Sequence, residues 1–272
     1  MKFSCLKKII TFLHLKGLAL LLIGLYSKVF PNQTITRDGI KYRVDLNKLI
    51  DFGIFIGGWE KNTIKFLKNN IQKGNVVLEI GANIGAHSLI MANLVGNNGH
   101  VIAVEPTQYA IDKLKMNISL NSNISNITLI EKVISDSETS DEDTFNSDWK
   151  KNSEQSPHKI SFKSTTVDKL VKEFKLNRVD LLKIDVDGYD FKVLKGAKET
   201  IRNYKPTIFV ELCEYTLQKK GESIADIFSF LDELEYKCFD ENEEIEIDLN
   251  IVKSKVGMDK SINGIFRSKY KY

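Results

Sequence analysis

The feature that most constrains the fold is an alternation of apolar runs and helical stretches that begins at residue 76. The first run, Val76–Ile80, is apolar except for Glu79, which is typical of a strand buried on both faces of a sheet. A glycine-containing turn and a helical stretch follow it, and the same pattern recurs along the chain. Repeated β-α units predict an α/β fold of Rossmann-like type, with a doubly wound, mostly parallel sheet and right-handed crossovers.

The same pattern places the individual elements. Predicted strands cover residues 76–80, 101–105, 127–134, 179–185 and 206–212, with an additional candidate at 160–167. Predicted helices cover residues 61–72, 86–95, 109–121, 168–174, 191–203 and 224–234. Residues 135–157 are rich in Ser, Asp, Glu and Asn and predict an exposed loop, and closing strands are expected after residue 234.

Two shorter segments precede this domain, which we expect to occupy residues 75–272. Residues 31–74 predict a lead-in with a short hairpin at 36–45 and one helix. Residues 1–30 predict an apolar, basic N-terminal helix, but the uninterrupted apolar run there is far shorter than the ~20 residues that span a bilayer. Three interpretations stay open: a helix packed on its own domain, an amphipathic anchor at a membrane surface, and a signal anchor.

Composition narrows the location and the partners. The 39 basic and 36 acidic residues give a formal net charge of +3, which is too balanced for nucleic acid to be the expected main partner. The 3 cysteines form no Cys-x-x-Cys pair and the 4 histidines show no metal spacing, so we expect neither a disulfide framework nor a metal site. A reducing, cytoplasmic location fits this composition, with peripheral membrane contact through residues 1–30 as an option.

The ends of the first two strands of the domain carry the expected ligand contacts, because ligands of open α/β sheets bind beyond the carboxyl ends of the strands. Gly81 and Gly85 allow a tight turn and a close approach, and Glu105 can accept hydrogen bonds from ribose hydroxyls. Together they predict an adenosine-type ligand. Asn83 and Ala86 stand where a dinucleotide fingerprint has its later glycines, so NAD is disfavoured, and a P-loop is excluded by the lack of a Gly-Lys-Ser/Thr motif.

Four blocks of sequence, in the right order, resemble the signature of the FkbM-type methyltransferases within the class I methyltransferases. The blocks are Gly58–Glu60, Leu78–Gly85, Thr165–Leu170, and Leu182–Asp190 with Val193–Ala197. The chain departs from the usual family pattern at Asp187, Tyr189 and Asp190. The resemblance covers about residues 36–240. It implies a seven-stranded core sheet, S-adenosylmethionine as cofactor and methyl donor, and O-methylation of a hydroxyl on a sugar, glycolipid or polyketide.

The resemblance also implies a set of cofactor-binding residues. The methionine end of S-adenosylmethionine would be lined by Glu79, Gly81, Asn83 and Gly85. Glu105 would hold the ribose. Asp136 could meet the adenine amino group, although a loop aspartate without a role is an equal alternative. Glu60 could reach the cofactor from the lead-in, or it could be a charge favoured at a helix N-terminus.

The fourth and fifth strands of the predicted sheet end in candidate catalytic residues. Asp185 and Glu211 lie at these ends, so both should face the cleft. Methyl transfer to a hydroxyl needs a base to take its proton, and Asp185, Glu211 or Asp187 could serve. Asp187 and Asp190 could instead cap the following helix. Lys183 lies on a buried strand, where we expect it to pair with a carboxylate.

Three function classes follow from these observations. The first is an O-methyltransferase acting on a small-molecule, glycan or lipid-linked acceptor. The second is an NAD-dependent oxidoreductase, and the third is a membrane-associated protein that binds the cofactor without catalysis. The carboxylates at the strand ends favour the first class. His87 follows the glycine loop and is expected to be a solvated helix residue rather than part of the cleft.

Overall fold

The computed structural model of the chain describes residues 24–145, 158–241, 245–256 and 260–270. Most of the predicted N-terminal helix, residues 1–23, lies outside the described residues. Contacts divide the chain into two compact units, whose described parts are residues 24–59 and residues 60–270. The boundary falls within the predicted lead-in, so its hairpin belongs to the first unit and its helix to the second.

The first unit is a hairpin with a helix. Residues 24–29 are helical, and the elements that follow are β1 (Asn32–Arg37), β2 (Ile40–Asp45) and α1 (Leu49–Ile56). Asp38 and Gly39 both have positive φ at the hairpin turn, which matches the right-handed twist of two paired strands. Alternate residues of β2 are buried, and Phe55 of α1 stacks on Tyr26 with ring centroids 6.1 Å apart. The hairpin confirms the prediction, whereas α1 was not predicted.

The second unit is built on a seven-stranded sheet, in the order β11-β12-β10-β9-β3-β4-β5. Its strands are β3 (Val76–Ile80), β4 (His100–Val104), β5 (Ile127–Ile130), β9 (Leu181–Ile184), β10 (Thr207–Leu212), β11 (Tyr236–Asp240) and β12 (Ile262–Ser268). The five strands from β10 to β5 are mutually parallel, and β12 runs antiparallel to both of its neighbours. This order confirms the predicted seven-stranded, mostly parallel, doubly wound sheet.

The helices of the second unit follow the predicted alternation. They are α2 (Lys61–Asn70), α3 (Ser88–Val95), α4 (Gln108–Ser119), α5 (Val167–Glu173), α6 (Asp190–Lys195), α7 (Lys198–Tyr204), α8 (Glu214–Gln218), α9 (Ile224–Glu233) and α10 (Leu249–Lys255). No helix within the described ranges combines the length and the apolar character needed to cross a bilayer.

Two predicted elements are divided in the structure. The single strand expected at 127–134 is β5 followed by β6 (Val133–Ile134), with exposed residues between them, and β6 joins a separate sheet. That sheet has the order β6-β8-β7 and includes β7 (Ser140–Phe145) and β8 (His158–Thr165). The candidate strand at 160–167 is therefore real, and a strand also lies within the predicted loop.

The helix expected at 191–203 is interrupted at Gly196, between α6 and α7. A Cβ at Gly196 would lie 2.1 Å from the carbonyl oxygen of Ser135, so the two backbones touch at this point. Only glycine permits such an approach, and the break is a consequence of tertiary packing rather than of local preference.

The core explains why the strands are apolar runs rather than alternating sequences. Side chains on one face of the sheet pack with the helices α5 to α9 in the main hydrophobic cluster. Examples are Leu78 of β3, Leu182 of β9 and Val210 of β10. On the opposite face Phe209 contacts Phe66 of α2, with ring centroids 5.2 Å apart. The sheet is thus covered on both faces, as a doubly wound sheet requires.

Candidate active site

The carboxyl ends of the central strands bring the predicted site residues together. The chain passes from β3 to β4 on one side, and β9 lies on the other side of β3, so a crevice opens between β3 and β9. Gly81 follows β3, Glu105 follows β4 and Asp185 follows β9, while Glu211 lies near the end of the adjacent strand β10. The topology therefore gathers these four residues along one edge.

The glycine loop after β3 packs against the end of β9. Gly81 has a φ of +90°, and a Cβ at this position would lie 1.9 Å from the carbonyl oxygen of Asp185. Gly85 also has positive φ, but a Cβ there would meet Leu114 of α4 at 2.3 Å. Gly81 thus brings the loop to the crevice, whereas Gly85 lets a helix approach.

A first cleft opens beside this loop. Its lining includes Gly81, Asn83, Glu105, Thr107, Lys132, Ile134, Asp185, Asp187 and Tyr189. Glu105 is 5% exposed and accepts hydrogen bonds from the backbone N–H groups of Asn83 and Thr107, each at 2.9 Å, and from the Thr107 hydroxyl. Burial raises the pKa of Glu105, and these donors oppose that effect.

The first cleft fits a nucleoside. Apolar walls from Val104, Pro106 and Ile134 suit a flat base, and a carboxylate at the end of β4 suits hydroxyl donors such as those of a ribose. Each carboxylate oxygen has two lone pairs, so Glu105 Oε2, which accepts one hydrogen bond from Asn83, can accept a further one.

A buried ion pair lies beneath the crevice. Lys183 is 1% exposed and pairs in register with Glu79 on β3 and with Phe209 on β10. Its Nζ lies 3.2 Å from Oδ2 of Asp185 and 3.9 Å from Oε1 of Glu79. Burial opposes the charge of Lys183, but the adjacent carboxylates raise its pKa above the usual value. The predicted pairing of Lys183 with a carboxylate is confirmed.

Glu79 lies within this pair rather than on a cleft surface. Its side chain is 1% exposed and accepts a hydrogen bond from the Ser88 hydroxyl. Burial raises the pKa of Glu79 to about 7, although Lys183 and Ser88 lower it. Glu79 thus lies with Lys183 in the buried layer beneath the first cleft and does not line it.

A second cleft adjoins the first and shares Asp185 with it. The second cleft is lined by Glu60, Asn62, Asp185, Glu211, Asp240, Glu241, Lys255, Ser261, Ile262 and Asn263. Asn263 of β12 pairs directly with Glu211 of β10, which explains how the closing strand reaches the site. Asp185 is 38% exposed and stands where the two clefts meet.

Two carboxyl groups of the second cleft have raised pKa values. Burial and the repulsion of Asp185 raise the pKa of Glu211 to about 7. Burial raises the pKa of Glu60 to about 7, with Lys183 opposing and Asp185 adding to the effect. The predicted cofactor residue Glu60 therefore lines the cleft that contains Glu211, not the one that contains Glu105. Among the described residues, no group of three or more His, Cys, Asp or Glu is arranged to hold a metal ion.

The remaining predicted site residues have separate positions. Asp187 has a φ of +50° and is exposed at the rim of the first cleft. Asp190 accepts hydrogen bonds from the backbone N–H groups of Gly188 at 3.0 Å and Val186 at 3.3 Å, so it holds the loop before α6. Asp136 is exposed and forms an ion pair of 3.0 Å with Lys195, away from the lining of both clefts.

The expectation that His87 is a solvated helix residue is wrong. His87 is 6% exposed, and its Nε2 lies 3.4 Å from Oε2 of Glu60 without a hydrogen-bond partner. Burial and the positive charge of Lys183 hold the pKa of His87 well below its usual value, so the ring is neutral. The glycine loop folds the first turn of α3 inward, which the polar character of histidine conceals in the sequence.

Several lining residues were missed by sequence reasoning. Thr107 follows Glu105 by two residues, and this short spacing was a usable signal for a side chain that binds its carboxylate. Asp240, Glu241 and Asn263 come from the closing segment, and only the sheet order brings them to the edge.

Part of the chain is similar to a curated methyltransferase. The chain is 26% identical over 156 residues to the hexuronic acid methyltransferase AglP of Haloferax volcanii. The match covers 53% of this chain and 59% of that relative, so the chain spans little more than half of the relative's length.

Solved structures with a similar course include the methyltransferase FkbM of Methylobacillus flagellatus KT and a fibrillarin of Aeropyrum pernix. The first has a TM-score of 0.46 at 12% identity and covers 73% of this chain and 44% of that one. The second has a TM-score of 0.44 at 12% identity and covers 88% of this chain and 83% of that one. The order and direction of the strands, not these likenesses, identify the fold.

The family described as the methyltransferase FkbM domain matches residues 79–238. This range is more than half of the chain and contains Gly81, Glu105, Asp185 and Glu211. As its sequence blocks predict, the chain belongs to the FkbM methyltransferase family, for which S-adenosylmethionine is the expected cofactor.

Proposed function

We propose that the chain transfers the methyl group of S-adenosylmethionine to a hydroxyl of a sugar, glycolipid or related metabolite. The observation that carries this proposal is the position of Asp185, which lines both the cleft that fits a nucleoside and the cleft that contains Glu211. A donor in the first cleft and an acceptor in the second would meet beside this residue. A curated relative that is named for methylation of hexuronic acid supports a sugar-like acceptor.

The cofactor would lie in the first cleft. Glu105 would accept hydrogen bonds from the ribose, and the loop Gly81–Asn83 would face the methionine portion. When bound, S-adenosylmethionine supplies an electrophilic methyl group and keeps the electron pair of the carbon–sulfur bond that breaks. Glu79 would act from below, by fixing Lys183, and Gly85 by fixing α4. A direct role of Asp136 at the adenine has less support, because Lys195 engages its carboxylate.

The acceptor hydroxyl would lose its proton to a carboxylate of the second cleft. Glu211 suits this role, because a pKa of about 7 leaves a large fraction of the side chain ionised yet basic near neutral pH. Asp185 already accepts a hydrogen bond from the Lys183 ammonium, which fixes its carboxylate and makes it better suited to orient the hydroxyl. Asp187 is the third candidate, but its position at the rim of the first cleft places it farther from the acceptor side.

The proposal is tested by incubating the chain with isotopically labelled S-adenosylmethionine and whole-cell glycan and lipid extracts. Label in a glycan or glycolipid fraction supports it, provided that the Glu211→Gln variant labels the same fraction at least ~10²-fold more slowly. Label confined to nucleic acid or protein would contradict the acceptor class. Cofactor binding without label in any extract would contradict catalysis and favour a protein that binds the cofactor only.

A further inference from the structure

The second cleft is strongly acidic in its described lining. Five carboxyl groups face it, from Glu60, Asp185, Glu211, Asp240 and Glu241. The pKa values of Glu60 and Glu211 are about 7, so at pH 7.5 most of these two groups is ionised as well. Lys255 is the one cation among the described lining residues, and its Nζ lies 2.7 Å from Oδ2 of Asp240. The Lys255 ammonium thus mainly neutralises the Asp240 carboxylate, and the described lining keeps a net negative charge.

The groups behind the cleft do not neutralise this surplus. His87 is almost fully buried, and its Nε2 points at the Glu60 carboxylate without a hydrogen-bond partner. Because burial and Lys183 keep the ring neutral, His87 adds no positive charge. Lys183 lies beneath Asp185 and is shared with Glu79, so it compensates at most one of the lining carboxylates.

Four uncharged residues complete the described lining, the apolar Ile262 and three polar residues. Asn62, Ser261 and Asn263 offer amide and hydroxyl groups, which can donate to and accept from hydroxyl groups. Glu241 is held by the Thr63 hydroxyl at 2.7 Å and the Asn263 amide at 3.1 Å, so its charge is fixed in place in the lining of the second cleft. This combination suits a polyhydroxyl compound and repels an anion.

We propose that the acceptor bound in this cleft carries no negative charge and is a neutral or amino-bearing sugar rather than a uronic acid. This inference rests on the proposed function, because it takes the second cleft as the acceptor site. The proposed acceptor therefore differs in charge from hexuronic acid, for which the curated relative is named.

The chemistry of methyl transfer to a hydroxyl agrees with an acceptor that carries no negative charge. A carboxylate acceptor is already a nucleophile and needs no base, whereas a hydroxyl must give up a proton as the oxygen–methyl bond forms. Glu211 provides a proton acceptor that methylation of a carboxylate would not use. S-adenosylmethionine brings a sulfonium, an ammonium and a carboxylate, so its single net positive charge cannot offset the surplus of the lining.

The test compares three matched probes: methyl glucoside, methyl glucosaminide and methyl glucuronide. Binding of each to the full chain loaded with S-adenosylhomocysteine is measured by saturation-transfer NMR at pH 7.5, together with the affinity for S-adenosylhomocysteine itself. We expect the glucuronide to bind at least ~10-fold more weakly than the glucoside, and the glucosaminide at least as tightly. Glucuronide binding equal to or tighter than glucoside binding would overturn the inference.

A variant that removes one lining charge distinguishes electrostatic repulsion of the glucuronide from a steric effect. Glu241→Gln keeps an acceptor for the Thr63 hydroxyl and removes one charge, so it should narrow the glucuronide–glucoside gap by ~3-fold or more. Glu199→Gln removes an exposed charge outside the cleft lining and should leave the gap unchanged. An unchanged gap in Glu241→Gln would also overturn the inference.

The failures of the two proposals are distinguishable. If S-adenosylhomocysteine binds but none of the three probes does, the second cleft is not the sugar site and the inference falls, while cofactor use stands. If S-adenosylhomocysteine does not bind, the proposed function itself fails, and the inference fails with it.

Discussion

Lys183 Nζ lies 3.2 Å from Asp185 Oδ2 and 3.9 Å from Glu79 Oε1, with the lysine buried and Asp185 at the junction of two clefts. The lysine is therefore a link between the core of the sheet and the proposed site. A buried charge without its partner is costly, whereas an exposed partner can be solvated. The two carboxylates should respond differently to loss of the ammonium.

We predict that at pH 8.5, where the folded Glu79 carboxyl is ionised, Lys183→Met lowers the free energy of unfolding by up to about 3–5 kcal/mol, because it leaves that carboxylate buried without its cation. Lys169→Met is the matched control, since it removes an exposed ammonium whose partners Glu138 and Glu173 are also exposed, and it should cost far less. Urea denaturation of both variants measures the difference. Equal stability losses would show that Glu79 does not depend on Lys183.

Glu79 also predicts a pH dependence of stability. Its carboxyl keeps its proton to about pH 7 in the folded chain, whereas the unfolded chain loses it near pH 4.5. The folded state thus binds more protons between these values, and the stability that Glu79 contributes falls as pH rises from about 4.5 to 7. Glu79→Gln should flatten this fall by up to about 3 kcal/mol. Urea midpoints at pH 5 and pH 7.5 test this, and an identical slope in the variant would contradict it.

The fold follows from the sequence where local pattern and tertiary position agree. The apolar runs of β3, β4 and β10 could be predicted because a strand covered on both faces needs apolar residues throughout. The convergence of Glu105, Asp185 and Glu211 follows from the same reasoning, since parallel strands end at one edge.

Other features depend on contacts that no local pattern records. The break at Gly196 lies where the Ser135 backbone, just after β6, approaches too closely for any Cβ. His87 is buried just before α3, although histidine is a polar residue at a predicted helix start. The second cleft takes Glu241 and Asn263 from the closing segment, which meets the site only after β12 inserts beside β10. These residues could not be assigned from spacing along the chain.

The affinity for S-adenosylmethionine should depend more on Glu105 than on Thr107. Glu105→Ala removes a carboxylate that would accept hydrogen bonds from the ribose hydroxyls. The same carboxylate accepts hydrogen bonds from the backbone N–H groups of Asn83 and Thr107. We expect an affinity loss of about 1.5–3 kcal/mol, which is roughly 10- to 150-fold. Thr107→Val removes only the hydroxyl contact to Glu105 and should lose less. Calorimetry with S-adenosylmethionine on folded variants decides; equal affinity in wild type and Glu105→Ala would place the ribose elsewhere.

Transfer to the acceptor found with labelled S-adenosylmethionine should rise with pH through about 7, as the Glu211 carboxyl loses its proton. The most direct measurement is the turnover rate of Glu211→Gln on that acceptor between pH 5.5 and 8.5, beside its affinity for S-adenosylmethionine. The predicted result is a ~10²–10⁴-fold slower rate that no longer rises with pH near 7, while the affinity for S-adenosylmethionine changes less than about threefold. A wild-type rate and pH profile in Glu211→Gln would show that this carboxylate is not the base of the methyl transfer.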